Sequence, residues 1–523
     1  MTQDILPATP EGPFELCIIG SGSGLSLIDD DLNGWRIALI DNGTGPTEAF
    51  GGTCLNAGCI PTKMFALPAR FALAPAEAGL VDVDLAFRGA GFAAIQARTF
   101  GRTDRVAEAG LAGLSARPNV HVFRGDATFV DAHTIQVGAQ RFSAERIVLA
   151  AGSRPRMLQV PGFDDPYLDA FVHTSDDILR RPELPRQLII LGGGVEAVEF
   201  AHIFAALGVR VQVIGRGPVL LRRFDTEVAA AATRALAERV VLRLNQRVTA
   251  LEPADAGGVV VTCQDQHDIE YTYQTDAVLV CTGRIPNGDQ LRLARAGLAL
   301  DEAGFVPVDE YLRTPVRHIW ALGDVCSPPM LKHLANQQAR VVKQNLLAER
   351  DRRPLATSRE AHVPQGVFGD PEIAFVGATE QQLIDAGVDY VSYLHRYEQV
   401  AYGWATNDRG HFVKLLGDRS GRILGAHLFG PHASILLQPI LSGLAQGLDA
   451  QTIARSQYWI HPALGEVVEN ALLGLAAAPT EGAPPAARDG IAAPSPRWGH
   501  PGGRPHRDDE RLSRRRPCLP GRR

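Results

Sequence analysis

The sequence of 523 residues predicts an α/β protein: two Rossmann-like dinucleotide-binding units followed by a C-terminal α+β domain. A glycine-rich turn follows the short apolar run Leu16–Ile19, and the same pattern returns after Leu188–Leu191. Near Thr357 the texture changes to short strand-like segments, which marks the separate domain. A chain this long exceeds one hydrophobic core, so roughly three domains are expected.

In the first unit, Leu16–Ile19 enters Gly20-Ser21-Gly22-Ser23-Gly24-Leu25, a helical pattern follows, and a second strand, Ile37–Ile40, ends at Asp41. Glycines let backbone N–H groups approach a pyrophosphate, and an acid about twenty residues on can bind a ribose hydroxyl. Gly20, Gly22, Ser23, Gly24 and Asp41 are therefore candidate cofactor contacts. Leu25 stands where a third glycine would let helix and strand approach closely.

Next comes Gly51-Gly52-Thr53-Cys54-Leu55-Asn56-Ala57-Gly58-Cys59-Ile60-Pro61-Thr62-Lys63. A helix running on past Thr53 would bring both sulfurs to one side, close enough to bridge. Its N-terminus and Lys63, four residues after Cys59, favour thiolate. Zinc normally wants a second close ligand pair, which is missing, so no metal is expected. So short a loop constrains little of the unfolded chain, and the pair reads as a redox-active dithiol rather than a structural staple. Cys17 and Cys281 lie in apolar runs and read as small buried hydrophobes; Cys263, Cys326 and Cys518 are scattered.

Three small-residue segments, each after an apolar strand, read as crossings between domains: Ala150-Ala151-Gly152-Ser153-Arg154-Pro155, Cys281-Thr282-Gly283-Arg284-Ile285-Pro286-Asn287 and Ala321-Leu322-Gly323-Asp324. Between the first two lies the second unit, with Gly192-Gly193-Gly194-Val195, a helix through Phe204 and the strand Val209–Ile214. No acid ends that strand; Arg216 and Arg222 follow it instead, which suits a 2′-phosphate and favours NADPH over NADH. Two dinucleotide sites imply a relay from nicotinamide to flavin.

Strand-like segments at Val363–Phe368, Ile373–Val376, Tyr390–Tyr397, Phe412–Leu416 and Ile423–Phe429 precede a helical stretch from Ile435 to Leu448. His461, before Pro462, is followed five residues later by Glu466. Taken alone, such a histidine reads as a core or turn residue. The division expected is 13–155 with 286–356 for the flavin domain, 156–285 for the NADPH domain, 357–475 for an interface domain, and a disordered Ala/Pro/Gly/Arg tail at 476–523. A formal net charge of -6 offers no basic field for nucleic acid. The N-terminus lacks a signal-peptide pattern and no run of about 18 apolar residues appears, so no membrane partner and a cytoplasmic location are expected.

The order of these motifs, glycine turn, CxxxxC with lysine, second glycine turn, Gly-Asp and His-Pro with a later Glu, resembles the flavoprotein disulfide reductases over roughly Phe14 to Leu475. The resemblance implies a glutathione-reductase-like fold with FAD as resident cofactor. It places Gly20, Gly22 and Asp41 on FAD together with Gly52, Thr53, Ala151 and Gly152, puts Asp324 on the ribityl chain, and starts a helix at Lys332-His333-Leu334-Ala335 near the flavin pyrimidine edge. It pairs Lys63 with Glu199 beside flavin N5, makes Val195 a gate, and sets Gly192, Gly194, Arg216, Arg222 and Gly283 on the nucleotide. Cys59 would face the flavin and Cys54 the substrate, with His461 moving the proton and Glu466 orienting it. In the family that last pair comes from the partner subunit, which implies a homodimer with a shared active site.

Within the family, Leu331–Asn336, Ala401–Ala405 and Tyr458–Leu464 look most like members acting on mycothione, the disulfide of a cysteinyl sugar-inositol thiol. NADPH-dependent reduction of that small disulfide is the leading expectation. The alternatives are an NAD-dependent dihydrolipoamide dehydrogenase and a glutathione-disulfide reductase; Asp29-Asp30-Asp31 suits the glycyl carboxylates of the latter substrate poorly. A scaffold without activity conflicts with the intact Cys54, Cys59, His461 and Glu466.

Overall fold

Strands Phe14–Ile19, Ile37–Asp41, Gln187–Leu191 and Ala277–Val280 are near-continuous apolar runs, the pattern of parallel strands covered on both faces. In the computed structural model, which describes residues 12–477 apart from 256 and 359, they form the parallel centres of two sheets, the first of which is completed by antiparallel strands. The reading of a disordered tail falls almost wholly outside the described residues.

The first sheet is ordered Val120–Arg124, Ile37–Asp41, Phe14–Ile19, Gln140–Leu149, Thr134–Val137, Ala127–Phe129. Ile319–Ala321 joins it in parallel beside Gln140–Leu149 after the chain has visited the second unit. The second sheet, all parallel, is ordered Val241–Leu244, Arg210–Gly215, Gln187–Leu191, Ala277–Val280, Val172–His173. A short antiparallel ribbon, Ser153–Pro155 with Arg284–Pro286, carries the chain between the units. The C-terminal sheet is antiparallel: Gln365–Val367, Ile373–Gly377, Ile423–Phe429, Phe412–Gly417, Val391–Arg396.

Six helices pack around these sheets and the cysteine segment: α1 (Gly52–Asn56), α2 (Cys59–Gly79), α3 (Phe92–Ser115), α4 (Val195–Ala206), α5 (Thr226–Ala237) and α6 (Lys332–Arg350). One hydrophobic core holds Phe65, Ala66 and Ala69 of α2, Ala197, Ala201 and Phe204 of α4, and Val367 and Phe429 of the C-terminal sheet. Small alanines on α2 and α4 let the two helices pack closely. Pro68, inside α2, cannot donate to Met64, and Arg98 Nη2 reaches that carbonyl at 3.3 Å instead.

Three expectations of local structure are corrected. The segment after the first glycine turn is two 3₁₀ turns, Ser23–Leu27 and Asp30–Leu32, not an α-helix. The Asp29 carboxylate accepts from Asp31 N at 3.1 Å, a local bond that competes with the helical ladder. The acids there are also neutralised: Lys343 bonds Asp29 and Asp31, and Arg117 lies 3.7 Å from Asp30, which weakens their use against a glutathione carboxylate. The helix across the cysteines is broken: Ala57 and Gly58 leave helical geometry and both donate to Thr53 O, at 2.9 and 2.7 Å. Ile435–Leu448 divides into Ala433–Leu436 and Gln438–Ala445, because Pro439 has no N–H to continue the ladder.

Lys414, on the buried strand Phe412–Gly417, is 2% exposed and its Nζ lies 2.8 Å from Asp225, 2.6 Å from Glu227 and 2.8 Å from Glu380. This cluster fastens the start of α5 to the C-terminal domain. Removing the cation strands buried carboxylates, so Lys414→Met is expected to destabilise the fold by about 3–5 kcal/mol. Thermal unfolding followed by circular dichroism checks it; an unchanged midpoint would contradict the assignment.

Candidate active site

The first glycine turn is a cradle that side chains would fill. Gly20 has φ +112°, and a Cβ there would meet Ala150 O at 2.1 Å; a Cβ on Gly52 would lie 2.6 Å from Gly22 Cα. The close approach that Leu25 seemed to forfeit is supplied by Gly24, whose Cβ would meet Ile18 at 2.9 Å and Ala150 at 3.0 Å. A dinucleotide pyrophosphate fits such an exposed backbone.

Asp41 ends its strand buried, accepts from Gly43 N at 3.1 Å, and is bonded by the Ser21 hydroxyl and the Arg124 guanidinium. The same Ser21 oxygen accepts from Gly51 N at 2.8 Å, so one hydroxyl joins the glycine turn, the acid and the entry to α1. Lys332, first residue of α6, donates to Ser23 Oγ at 3.0 Å, and Ser23 donates to Asn336 Oδ1 at 3.3 Å. Asp324 accepts from Ser153 Oγ at 2.6 Å. Gly152 (φ +69°) and Ala151 stand at the end of the first sheet, beside that serine. His333, Leu334 and Ala335 follow in the first turn of α6; the last two are buried, and His333 Nε2 lies 2.8 Å from Pro364 O.

Cys54 lies in α1 and Cys59 opens the 21-residue α2. Despite the break between these helices, the two thiols are joined by a hydrogen bond. That bond is the main reason the Cys54 thiol is lowered to about 7; burial opposes it and the Lys332 cation assists. The same bond, with burial, pushes Cys59 far above the thiol range. The contact therefore favours ionisation of Cys54 over Cys59.

Lys63 and Glu199 reach the same neighbourhood without an ion pair between them. The Lys63 ammonium lies 3.8 Å from the centroid of the Phe368 ring, and Glu199 accepts from Phe368 N at 2.8 Å. Burial holds Lys63 below its usual range, against the pull of Glu372 and Glu199. Burial likewise pushes Glu199 up to about 7, opposed by the Phe368 N–H and reinforced by Cys59. Phe368 thus touches both groups, the ring against Lys63 and the N–H against Glu199.

At the second turn Gly192 has φ +137°, and a Cβ there would meet Cys281 O at 2.2 Å. Gly194 caps α4 and Val195 is its first residue. Arg216 and Arg222 are exposed and have no ion-pair partner among the described residues, while Gly283 (φ +106°) has open space around it. His461 is 70% exposed; its Nδ1 lies 2.8 Å from Glu466 Oε1, and Glu466 Oε2 accepts from Ala463 N at 3.3 Å. No interaction among the described residues joins this pair to Cys54 or Cys59 of the same chain. Tyr458 and Ile460, just before it, are also exposed.

Sequence reading missed Ser21, Arg124, Asn336 and Phe368. Ser21 was available inside the glycine turn. The others lie 83, 313 and 169 residues from the groups they serve, with no local pattern to reveal them.

The chain matches the family model described as pyridine nucleotide-disulphide oxidoreductase over residues 14–339, and the model of that family's dimerisation domain over 363–472. It is 42% identical over 473 residues to mycothione reductase of Mycobacterium tuberculosis, covering 88% of this chain and 99% of that protein. It is 32% identical over 474 residues to dihydrolipoyl dehydrogenase of Haloferax volcanii, covering 88% and 96%. Among solved structures it resembles the HOCl-induced flavoprotein disulfide reductase RclA from Escherichia coli, with TM-score 0.75, 27% identity and coverage of 88% and 99%.

The Cys59 bond is the main cause lowering Cys54, so Cys59→Ala is expected to move Cys54 alkylation by iodoacetamide from a midpoint near pH 7 toward the ordinary thiol value of about 8.5. Peptide mass spectrometry across pH reads this directly. A midpoint that stays put would refute that role for Cys59.

Proposed function

This chain belongs to the pyridine nucleotide-disulphide oxidoreductases, which use a flavin and a pyridine nucleotide, and we propose that its reaction is NADPH-dependent reduction of mycothione to two thiols. The observation that carries the reading is the asymmetric thiol pair, Cys54 lowered and Cys59 raised, set between a glycine cradle and the core shared with α4. Mycothione is favoured by likeness to the mycobacterial enzyme along most of both chains. NADPH is favoured by Arg216 and Arg222, exposed and without an ion-pair partner among the described residues, after a strand that ends without an acid.

FAD, when bound, supplies two-electron passage between nicotinamide and sulfur. Gly20, Gly22 and Gly52 would hold its pyrophosphate, with Gly24 letting the turn pack on its strand, Asp41 available to a ribose hydroxyl and Lys332, beside Ser23, available to balance negative charge. In the dithiol form, Cys54 thiolate attacks one sulfur of the substrate; the substrate S–S bond breaks, a Cys54–substrate disulfide forms, and the first thiolate leaves. It takes a proton from His461. His461 then removes the Cys59 proton, Cys59 attacks the Cys54 sulfur, and the second thiolate departs and is protonated in turn. Two electrons have passed from the cysteine pair to the substrate, leaving Cys54–Cys59 oxidised. Lys63 and Glu199, each in contact with Phe368, set the charge behind the pair.

His461 and Glu466 are taken from a second copy. The pair is exposed, the flanking Tyr458 and Ile460 present apolar surface, and the segment lies in the dimerisation domain. No helix among the described residues is long and apolar enough to cross a membrane.

Steady-state turnover of mycothione, glutathione disulfide and lipoamide with NADPH and with NADH tests this reading. Mycothione with NADPH is expected to give the highest kcat/KM; preference for lipoamide or NADH would overturn the substrate or the nucleotide assignment. His461→Gln is expected to slow reoxidation of the dithiol by mycothione at least about 100-fold, read by stopped flow, with reduction by NADPH preserved. An unchanged reoxidation rate would remove His461 from the proton path.

A further inference from the structure

Glu196 lies in the first turn of α4, directly after the second glycine turn. A helix N-terminus attracts anions, and a carboxylate fixed there competes with the phosphates of an incoming dinucleotide. Its charge is met by a group from another segment. Arg284 Nη1 lies 3.6 Å from Glu196 Oε1, with the arginine side chain 15% exposed and the glutamate 31%. The remaining guanidinium nitrogens point elsewhere: Nε donates to Ser153 Oγ at 2.8 Å and Nη2 to Ser153 O at 2.8 Å. The Ser153 hydroxyl in turn donates to Asp324 Oδ2 at 2.6 Å. Ser153 and Arg284 stand on the two strands of the ribbon by which the chain passes between the nucleotide units. Asp176, with a buried Oδ1 that has no hydrogen-bond partner, adds negative charge near the same guanidinium.

We propose that Arg284 is a positioning residue that neutralises Glu196 at the second dinucleotide turn and, through Ser153, ties that turn to Asp324 of the flavin domain. The proposal rests on the reading that this turn binds the nicotinamide nucleotide. One guanidinium faces two acids, Glu196 and Asp176, and reaches Asp324 only through Ser153; without it the phosphate-binding end of α4 faces uncompensated negative charge. Arginine is required by geometry. Its fork meets Glu196 on one nitrogen and Ser153 on two others, an arrangement that a lysine ammonium cannot span.

The test uses the purified, FAD-loaded protein and its Glu196→Gln, Arg284→Gln, Arg284→Lys and Glu196→Gln/Arg284→Gln variants. NADP⁺ binding is measured by calorimetry at fixed salt, with flavin content and visible spectrum recorded for each. Arg284→Gln is expected to weaken NADP⁺ about tenfold, the size of one exposed charge interaction beside a phosphate. Glu196→Gln alone is expected to tighten it, because Arg284 is then free to face the ligand. The double variant recovers most of the loss, whereas Arg284→Lys does not. Unchanged binding in Arg284→Gln, or a double variant as weak as Arg284→Gln, would overturn the proposal. If Arg284→Gln fails to fold, Glu196→Gln decides alone: binding no tighter than wild type overturns it. Wild-type protein that binds neither NADP⁺ nor NAD⁺ would instead sink the underlying site assignment.

Discussion

The packing of α2 on α4 is the constraint from which the site follows. Phe65, Ala66 and Ala69 share one core with Ala197, Ala201 and Phe204, and residues of the C-terminal sheet close it from another side. Because that core is densely packed, the helix opened by Cys59 cannot shift without disturbing the helix that follows the second glycine turn. The helix opened by Cys59, the second nucleotide turn and the C-terminal sheet are thereby held in one arrangement by hydrophobic contact. Polar bonds then adjust positions within it.

Those polar bonds share a plan. Buried and half-buried charge is repeatedly met by groups distant in sequence: Asp41 by Arg124, Lys414 by Asp225, Glu227 and Glu380, and Glu196 by Arg284. Each links separate segments, and each leaves a costly unpaired group if one partner goes. The cysteines follow another rule. Their asymmetry comes mainly from the hydrogen bond between the two sulfurs, with Lys332 adding a smaller bias. This explains why Cys54 can be nucleophilic although the break at Ala57–Gly58 places it outside α2.

Much of the architecture was readable from local pattern. Continuous apolar runs ending in glycine turns require buried parallel strands and exposed backbone, and both arise from residues adjacent in sequence. Element details failed where a local side-chain bond or a missing N–H outweighed periodicity. Asp29 turned an expected helix into 3₁₀ turns, and Pro439 divided another. Lys63 and Glu199 act on each other's charge, and what no local pattern signalled is Phe368, 169 residues beyond Glu199, whose ring meets the Lys63 ammonium and whose N–H meets Glu199.

The sequence by itself determined which chemistry the chain carries. Two cysteines five apart, two glycine turns and a histidine with a following glutamate are short-range facts, and the order of these motifs marks the family. Only the tertiary structure decided the charge on each group, because charge depends on desolvation and on partners brought together by folding. It lowered the Cys54 thiol, raised Glu199, occupied Asp41 with Ser21 and Arg124, and set Arg284 against Glu196. Sequence spacing names the reactive atoms; the packed core fixes which of them keeps its proton.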